Sequence, residues 1–174
     1  MSRRKYRPPE LLVDRHDVTD FRCRSSEQTE WLHRYARQSA AAGTTRVFVV
    51  TEHQSHCVAA YYAWCMAQLH TDAIPSRVRR GAGRYPQPVA LLARLGVAVD
   101  HERAGLGAGM LQDVFARLIE LSDDIGCRGL LVHAESTDAR NFYLHLVPEF
   151  DPSPTDDLHL VLLMKDIRRT LRAD

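Results

Sequence analysis

A glycine-rich run from Arg103 to Gly109 contains the residues whose types most directly suggest chemistry. The apolar residues 88–99 precede it and the amphipathic residues 110–125 follow it, so the pattern predicts a strand, a tight turn and a helix in that order. Glycines let the backbone approach an anion, and the start of a helix offers N–H groups and the positive end of its dipole. The run therefore predicts a site for a ligand that carries phosphate.

Two common nucleotide-binding motifs do not fit this run. A Walker P-loop requires Lys and then Ser or Thr after the glycines, whereas Gly107 is followed by Ala108, Gly109 and Met110. A Rossmann turn requires a third glycine where this chain has Met110. These differences argue against a nucleoside triphosphate and against NAD.

The basic residues are almost all arginine, because only Lys5 and Lys165 among the 23 are lysine. Residues 73–99 contain no Asp or Glu, yet they hold five arginines: Arg77, Arg79, Arg80, Arg84 and Arg94. Arginine binds phosphate through paired hydrogen bonds and stacks on bases. The segment therefore suggests a nucleic-acid surface, with biased codon usage as the alternative explanation.

The elements around these residues predict one α/β domain over residues 1–174. Ser25 or Ser26 and Ser136 are candidate N-caps, and Gly43 and Gly126 are candidate helix stops. The pattern predicts strands at 11–13, 46–51, 57–66, 89–99, 128–133 and 158–164, helices at 27–42, 105–125 and 136–146, loops at 69–87 and 148–157, and a short basic tail at 167–171. A parallel strand–helix–strand unit then surrounds the glycine run.

Composition argues against membrane, disulfide and metal proteins. The chain is 45% hydrophobic and 26% charged, as is usual for a soluble globular protein. No apolar run is long enough to cross a bilayer. The four cysteines form no CxxC pair and the nine histidines show no metal-ligand spacing. We therefore expect reduced thiols, a cytoplasmic location and no metal.

Several segments together carry a family resemblance. Residues 102–107, Glu-Arg-Ala-Gly-Leu-Gly, are similar to the motif Q/R-x-x-G-x-G/A, and residues 125–134, Ile-Gly-Cys-Arg-Gly-Leu-Leu-Val-His-Ala, to I-G-x-R-G-x-L-V-H-A. Residues 94–97, 139–143 and 153–156 are similar to R-L-A-V, A-x-x-F-Y and S-P-T-D. The chain thus resembles the GNAT acetyltransferases over most of its length, and within them the toxin branch of type II toxin–antitoxin pairs (TacT and AtaT type).

The resemblance implies a fold, a co-substrate and a set of site residues. The fold is a mixed central β-sheet whose parallel fourth and fifth strands splay apart, flanked by helices. The co-substrate is acetyl-CoA, with its pantetheine beside Val97, Val99 and Asn141. Tyr143 is the implied general acid, which protonates the leaving thiolate. The implied pyrophosphate donors are the N–H groups of Arg103, Ala104, Gly105, Leu106, Gly107 and Ala108.

The resemblance also implies the acceptor and the partners. The acceptor is the α-amine of an aminoacyl-tRNA, with glycyl-tRNA favoured, and its acetylation blocks translation. Such an amine has a pKa of about 7.7–8.0, so it needs no strong protein base. The implied partners are a cognate ribbon-helix-helix antitoxin and a second copy in a homodimer, with no membrane. The residues expected to bind tRNA phosphates are Arg77, Arg79, Arg80 and Arg84.

Three departures from the branch pattern leave other functions open. Glu102 stands where the motif has Gln or Arg, and Ala98 stands where the branch usually has Asp. After Tyr143 the usual Gly-Phe is replaced by residues 146–150, which puts the shape of the acceptor pocket in question. The alternatives are an acetyltransferase for small amines or protein N-termini, and a non-catalytic module that binds acetyl-CoA or tRNA.

Overall fold

A computed structural model of the chain describes residues 5–173, so residues 1–4 and Asp174 of the predicted domain lie outside the described residues. The described chain forms two compact units. The first contains residues up to Cys65 together with residues 93–113, and the second contains residues 66–92 together with those from Val114 onward. The expectation of one domain over residues 1–174 stays a prediction.

The described residues contain seven strands and six α-helices. The strands are β1 (Glu10–Leu11), β2 (Arg46–Thr51), β3 (Val58–Leu69), β4 (Gln87–Val97), β5 (Gly129–His133), β6 (Asp151–Ser153) and β7 (Asp156–Leu163). The helices are α1 (Ser26–Arg34), α2 (Ala36–Ala41), α3 (Ser76–Arg79), α4 (Leu106–Asp124), α5 (Thr137–Leu146) and α6 (Met164–Arg172). Strands β3 and β4 and helix α4 run through both units.

The strands form a mixed sheet, which confirms the predicted α/β class. In the first unit the neighbour order is β1-β2-β3-β4, and in the second it is β3-β4-β5-β7-β6. Strands β4 and β5 are parallel, whereas β2–β3 and β5–β7 are antiparallel pairs. The recorded parallel pairing covers only Ala90–Leu92 against Leu130–Val132, although β4 continues to Val97.

Each unit has its own apolar core. In the first, Phe21, Leu32 and Tyr61 are buried, and the Phe21 and Tyr61 rings meet edge to face. In the second, Ile74 and Val78 pack with residues of β4, β5 and β7. The central strand β5 is buried along Gly129–Val132, as the continuous apolar run predicted for a parallel strand.

Several local predictions hold. Ser25 caps α1 by accepting a hydrogen bond from the Gln28 N–H, and Ser136 caps α5 by accepting one from the Ala139 N–H. Gly43 follows α2 with φ of 75°, the left-handed conformation that glycine adopts at helix ends. The predicted strand at 46–51 is observed with the same bounds.

Four local predictions are wrong, because burial or short strand pairing decides the outcome where local periodicity gives no signal. The single helix predicted at 27–42 is divided at Tyr35, and Ala36 of α2 is buried in the core. The predicted loop 69–87 contains α3, whose Val78 is buried in the core of the second unit. The predicted loop 148–157 contains β6, which pairs with β7, and the predicted basic tail is α6.

Candidate functional site

The glycine turn, residues 102–109, joins β4 to α4 and contains two left-handed residues. Arg103 has φ of 62° and Gly105 has φ of 77°. A non-glycine residue in this conformation costs about 1–3 kcal/mol and is kept only where its surroundings hold it. The preceding backbone is held, because the Ala98 and Val99 N–H groups donate to the Ala59 and Arg22 carbonyls, both at 2.8 Å. The backbone that leads into the turn is therefore fixed, while Arg103, Ala104 and Gly105 in the turn are exposed.

The backbone N–H groups of the glycine turn are available to an anion. The Gly109 N–H donates to the Gly105 carbonyl at 3.0 Å, which is the first such bond of α4. Across the described residues, no backbone acceptor is recorded for the N–H groups of residues 103–108. The first turn of α4 carries no acidic side chain that would compete. This donor set fits a diphosphate, since a helix start favours a negative group in both charge and geometry.

Glu102, which departs from the motif, forms an ion pair with Arg24, a residue to which the sequence analysis assigned no role. The Arg24 guanidinium donates to both carboxylate oxygens, at 2.8 and 3.0 Å. These bonds hold the pKa of Glu102 below its ordinary value, so the carboxylate stays ionised with an adjacent cation. No periodic pattern could connect two residues 78 positions apart.

The residues predicted to flank pantetheine differ in what their backbones can offer. Val97 ends β4, and Val99 begins a short 3-10 turn. The Val99 N–H donates to the Arg22 carbonyl, and the Val99 carbonyl accepts from the Glu102 N–H at 3.3 Å. What Val99 offers a ligand is therefore mainly its exposed side chain. Ala98 is buried in the first core beside Phe21 and Tyr61, which suits an apolar residue where the branch has Asp.

In the second unit, Tyr143 lies on α5 in an aromatic setting. Its ring meets Phe142 and Phe150 edge to face, with centroids 5.2 and 6.0 Å apart, and the residue is 5% exposed. Burial raises the pKa of the phenol above its ordinary value. Within the described part of the chain, no hydrogen-bond partner is recorded for its hydroxyl. The result is a fixed, protonated phenol, and Asn141 lies exposed two residues earlier on the same helix.

The four arginines predicted to bind tRNA lie in the basic segment, residues 70–86, and differ in their carboxylate partners. Arg77 donates to both carboxylate oxygens of Asp166, at 3.2 and 3.0 Å, and lies 3.7 Å from Asp151. Arg79, Arg80 and Arg84 are exposed, and no carboxylate within residues 5–173 pairs with them. The structure thus places Arg77 among acids, while Arg79 donates to the Thr71 carbonyl at 3.3 Å. Among the described residues, no partner is recorded for the side chains of Arg80 and Arg84.

Arg128, from the motif at 125–134, supports the same segment. Its guanidinium donates to the backbone carbonyls of Val78 at 3.1 Å and Arg80 at 2.7 Å. The next motif residue, Gly129, packs so closely on the Leu162 carbonyl that a Cβ there would collide with backbone. Sequence reasoning recognised this motif but assigned Arg128 no role.

The described residues contain no cluster of three or more His, Cys, Asp or Glu side chains that would hold a metal ion. Among the helices described, none combines the length and the apolar character needed to cross a bilayer.

Comparison with known proteins identifies the family, although no family model matches the chain. The chain is 40% identical over 164 residues to the tRNA-acetylating toxin of Mycobacterium tuberculosis (strain ATCC 25618 / H37Rv), covering 94% of this chain and 95% of that protein. AtaT complexed with acetyl-methionyl-tRNAfMet has a TM-score of 0.84 at 21% identity, covering 94% and 98% of the two chains. A mutant AtaT toxin bound to acetyl-CoA and the C-terminus of the antitoxin AtaR has a TM-score of 0.80 at 19% identity, covering 97% and 99%.

The two solved structures establish the shared fold. Family membership is established by the 40% identity to the mycobacterial toxin over nearly the whole of both chains. The chain belongs to the tRNA-acetylating toxins, the toxin branch of the GNAT N-acetyltransferases.

Proposed function

We propose that this chain is the toxin of a type II toxin–antitoxin pair that acetylates the α-amine of an aminoacyl-tRNA, with glycyl-tRNA favoured, and so blocks translation. The observation that carries the proposal is the 40% identity to a tRNA-acetylating toxin across 94% of the chain. The AtaT structures support it, since a protein of the same fold binds an acetylated aminoacyl-tRNA in one, acetyl-methionyl-tRNAfMet, and acetyl-CoA in the other.

The glycine turn is the proposed seat of the acetyl-CoA pyrophosphate. Bound acetyl-CoA supplies the acetyl group. The N–H groups of residues 103–108 donate to the diphosphate, and the exposed Arg103 side chain adds a charge-assisted bond. Arg24 keeps the Glu102 carboxylate paired, which limits its repulsion of the phosphates. Val97, Val99 and Asn141 are proposed to contact the pantetheine arm.

Tyr143 is the proposed general acid. A phenol whose pKa is raised by burial remains protonated at neutral pH, so it has a proton to give to the departing thiolate. Its hydroxyl is not committed to another described residue, and the packing of Phe142 and Phe150 limits the motion of the ring. The acceptor amine is partly neutral at cellular pH, with a pKa of about 7.7–8.0, so no strong base is assigned.

The basic segment is the proposed tRNA surface. Arg79, Arg80 and Arg84 are exposed and free of carboxylate partners among the described residues, which suits them to phosphate contacts. Arg77 lies in the same segment, and its proposed role is to stabilise the position of the segment through its ion pair with Asp166.

The proposed partners follow from the same family. A cognate ribbon-helix-helix antitoxin would inhibit the toxin, as AtaT is bound by the C-terminus of its antitoxin AtaR. A homodimer would join two basic segments into one surface for tRNA. The cytoplasm is the proposed location, since charged tRNA is found there.

The decisive experiment is acyl transfer to total charged tRNA. The purified protein is incubated with acetyl-CoA and charged tRNA, and the aminoacyl ends are identified by mass spectrometry. N-acetylated amino acids, with glycine dominant, are expected. Acetylation of polyamines or of peptide N-termini in parallel reactions, with charged tRNA unmodified, would support the small-amine or N-terminal alternative instead. Binding of acetyl-CoA with no transfer to any acceptor would support the non-catalytic module.

A further inference from the structure

The basic segment contains an exposed aromatic side chain, Tyr85, to which the proposed function assigns no role. Tyr85 is 78% exposed, more than any other large hydrophobic residue described. Within residues 5–173, no hydrogen bond or ring contact is recorded for its side chain. It directly follows Arg84, and both residues are exposed. An exposed aromatic ring beside arginines that no carboxylate neutralises is the combination that binds single-stranded nucleic acid, because bases stack on the ring and phosphates pair with the cations.

The base of the segment is fixed. Val78 and Ile74 are buried in the second core. Arg128 binds the Val78 and Arg80 carbonyls, and the Ser153 hydroxyl donates to the Ala73 carbonyl at 2.9 Å. These contacts fix residues 73–80, and the Gln87 side chain donates to the Tyr85 carbonyl at 2.8 Å. A segment held at both places presents its side chains with less ordering cost on binding than a loose loop would.

Arg77 of the basic segment also contacts the stretch of chain that packs on Tyr143. Arg77 donates to the Glu149 carbonyl at 3.4 Å and lies near Asp151, the residues on either side of Phe150. The Phe150 ring in turn meets the Tyr143 ring. The basic segment is therefore tied, within the second unit, to the packing around the proposed general acid.

We infer that Tyr85 is a stacking platform for the unpaired 3′ end of tRNA, with Arg79, Arg80 and Arg84 binding the phosphates around it. This inference rests on the proposed function, in which the reactive amine is carried on the terminal ribose of that unpaired end. A duplex stem, whose bases are stacked internally, has no base to place on the ring. An acidic peptide needs the cations only, so the exposed ring favours RNA over a protein partner.

The test measures binding of two RNAs to the full chain: intact deacylated tRNA and the same tRNA trimmed of its unpaired 3′ nucleotides. Tyr85→Ala is expected to weaken binding of the intact tRNA by about 5- to 150-fold, the usual range for loss of one stacking ring. The same variant should bind the trimmed tRNA as the wild type does. Tyr85→Phe keeps the ring and should keep the wild-type affinity.

Arg84→Ala is the matched control for charge. It should weaken binding of both RNAs and lower the salt slope, the change of log K with log salt, by about 0.7. Tyr85→Ala should leave the salt slope unchanged. Because Tyr85 is so exposed, we expect its variants to fold normally, which thermal unfolding checks.

Three results would overturn the inference: wild-type affinity of Tyr85→Ala for intact tRNA, equal losses on the intact and trimmed RNAs, or a loss of oligoglutamate peptide binding with tRNA binding retained. If the wild-type chain acetylates charged tRNA while Tyr85→Ala behaves in one of these ways, only the inference fails. If the wild-type chain neither binds tRNA nor acetylates it, the proposed function fails and the inference falls with it.

Discussion

The glycine turn and the basic segment are both proposed to bind phosphate, yet they are built in opposite ways. The turn uses backbone N–H groups held by its own φ angles and by the start of α4. The segment uses arginine side chains whose roles depend on distant partners, since Arg77 meets Asp166 and Arg80 is held through its carbonyl by Arg128. A backbone site is thus determined locally, whereas a side-chain site is assigned only by packing.

The strongest test separates chemistry from both binding regions. Tyr143→Phe should lower kcat by about 10²- to 10⁴-fold, the usual contribution of a positioned general acid, and leave the acetyl-CoA Kd unchanged. Since burial raises the pKa of Tyr143, the wild-type rate should show no loss from ionisation of this phenol up to its ordinary pKa of 10.0. Steady-state kinetics across pH and calorimetric Kd values supply both readings. Wild-type kcat in the folded variant would contradict the acid role.

The next test asks whether the arginines of the basic segment differ as their partners do. Asp166 is 2% exposed, and in Arg77→Ala its carboxylate keeps, among the described residues, the 3.7 Å contact to Arg169. We expect a loss of about 1–3 kcal/mol in the free energy of unfolding, reduced from the usual cost of breaking a buried pair because Arg77 is partly exposed. Arg84→Ala, the matched exposed control, should change it by less than about 0.5 kcal/mol. Urea denaturation measures both, and equal effects would remove the distinction.

A third test addresses the backbone of the glycine turn. Gly105→Ala places a Cβ at φ of 77° with no neighbouring atom in the way, so conformation alone is altered. The left-handed conformation costs alanine about 1–2 kcal/mol. If the turn shifts to avoid this cost, the free energy of acetyl-CoA binding should become less favourable by a similar amount. Gly126→Ala, also in open space but without a left-handed φ, is the control and should leave the acetyl-CoA Kd unchanged. Equal Kd values for both variants would argue against a backbone site.

The smallest effect is expected at the Arg24–Glu102 pair. Glu102→Gln removes a negative charge beside the turn and should tighten acetyl-CoA binding slightly, whereas Arg24→Ala should weaken it. In the double variant, the effect of Arg24→Ala should be smaller than in the wild type, because the carboxylate it balanced is gone. Kd values at low and high salt measure this coupling, which added salt should reduce. Additive effects would mean that the two charges act independently on the ligand.

Prediction from sequence succeeded where the signal was local. The strand at 46–51, the caps at Ser25 and Ser136 and the parallel pairing of β4 with β5 all follow from short patterns. It failed for two very short elements, the one-turn helix α3 and the three-residue strand β6. An element of three or four residues in a segment interrupted by proline is too short to show a period.

The sequence by itself determined the fold class, the glycine turn and the family resemblance, because strand, turn and helix signals lie within a few residues of one another. Only the tertiary structure decided that Glu102 pairs with Arg24, that Arg77 serves Asp166, and that Tyr85 stands exposed on an anchored segment. The physical reason is that a charge or a ring acquires its role from what lies beside it in space. Those neighbours come from parts of the chain that no local spacing connects.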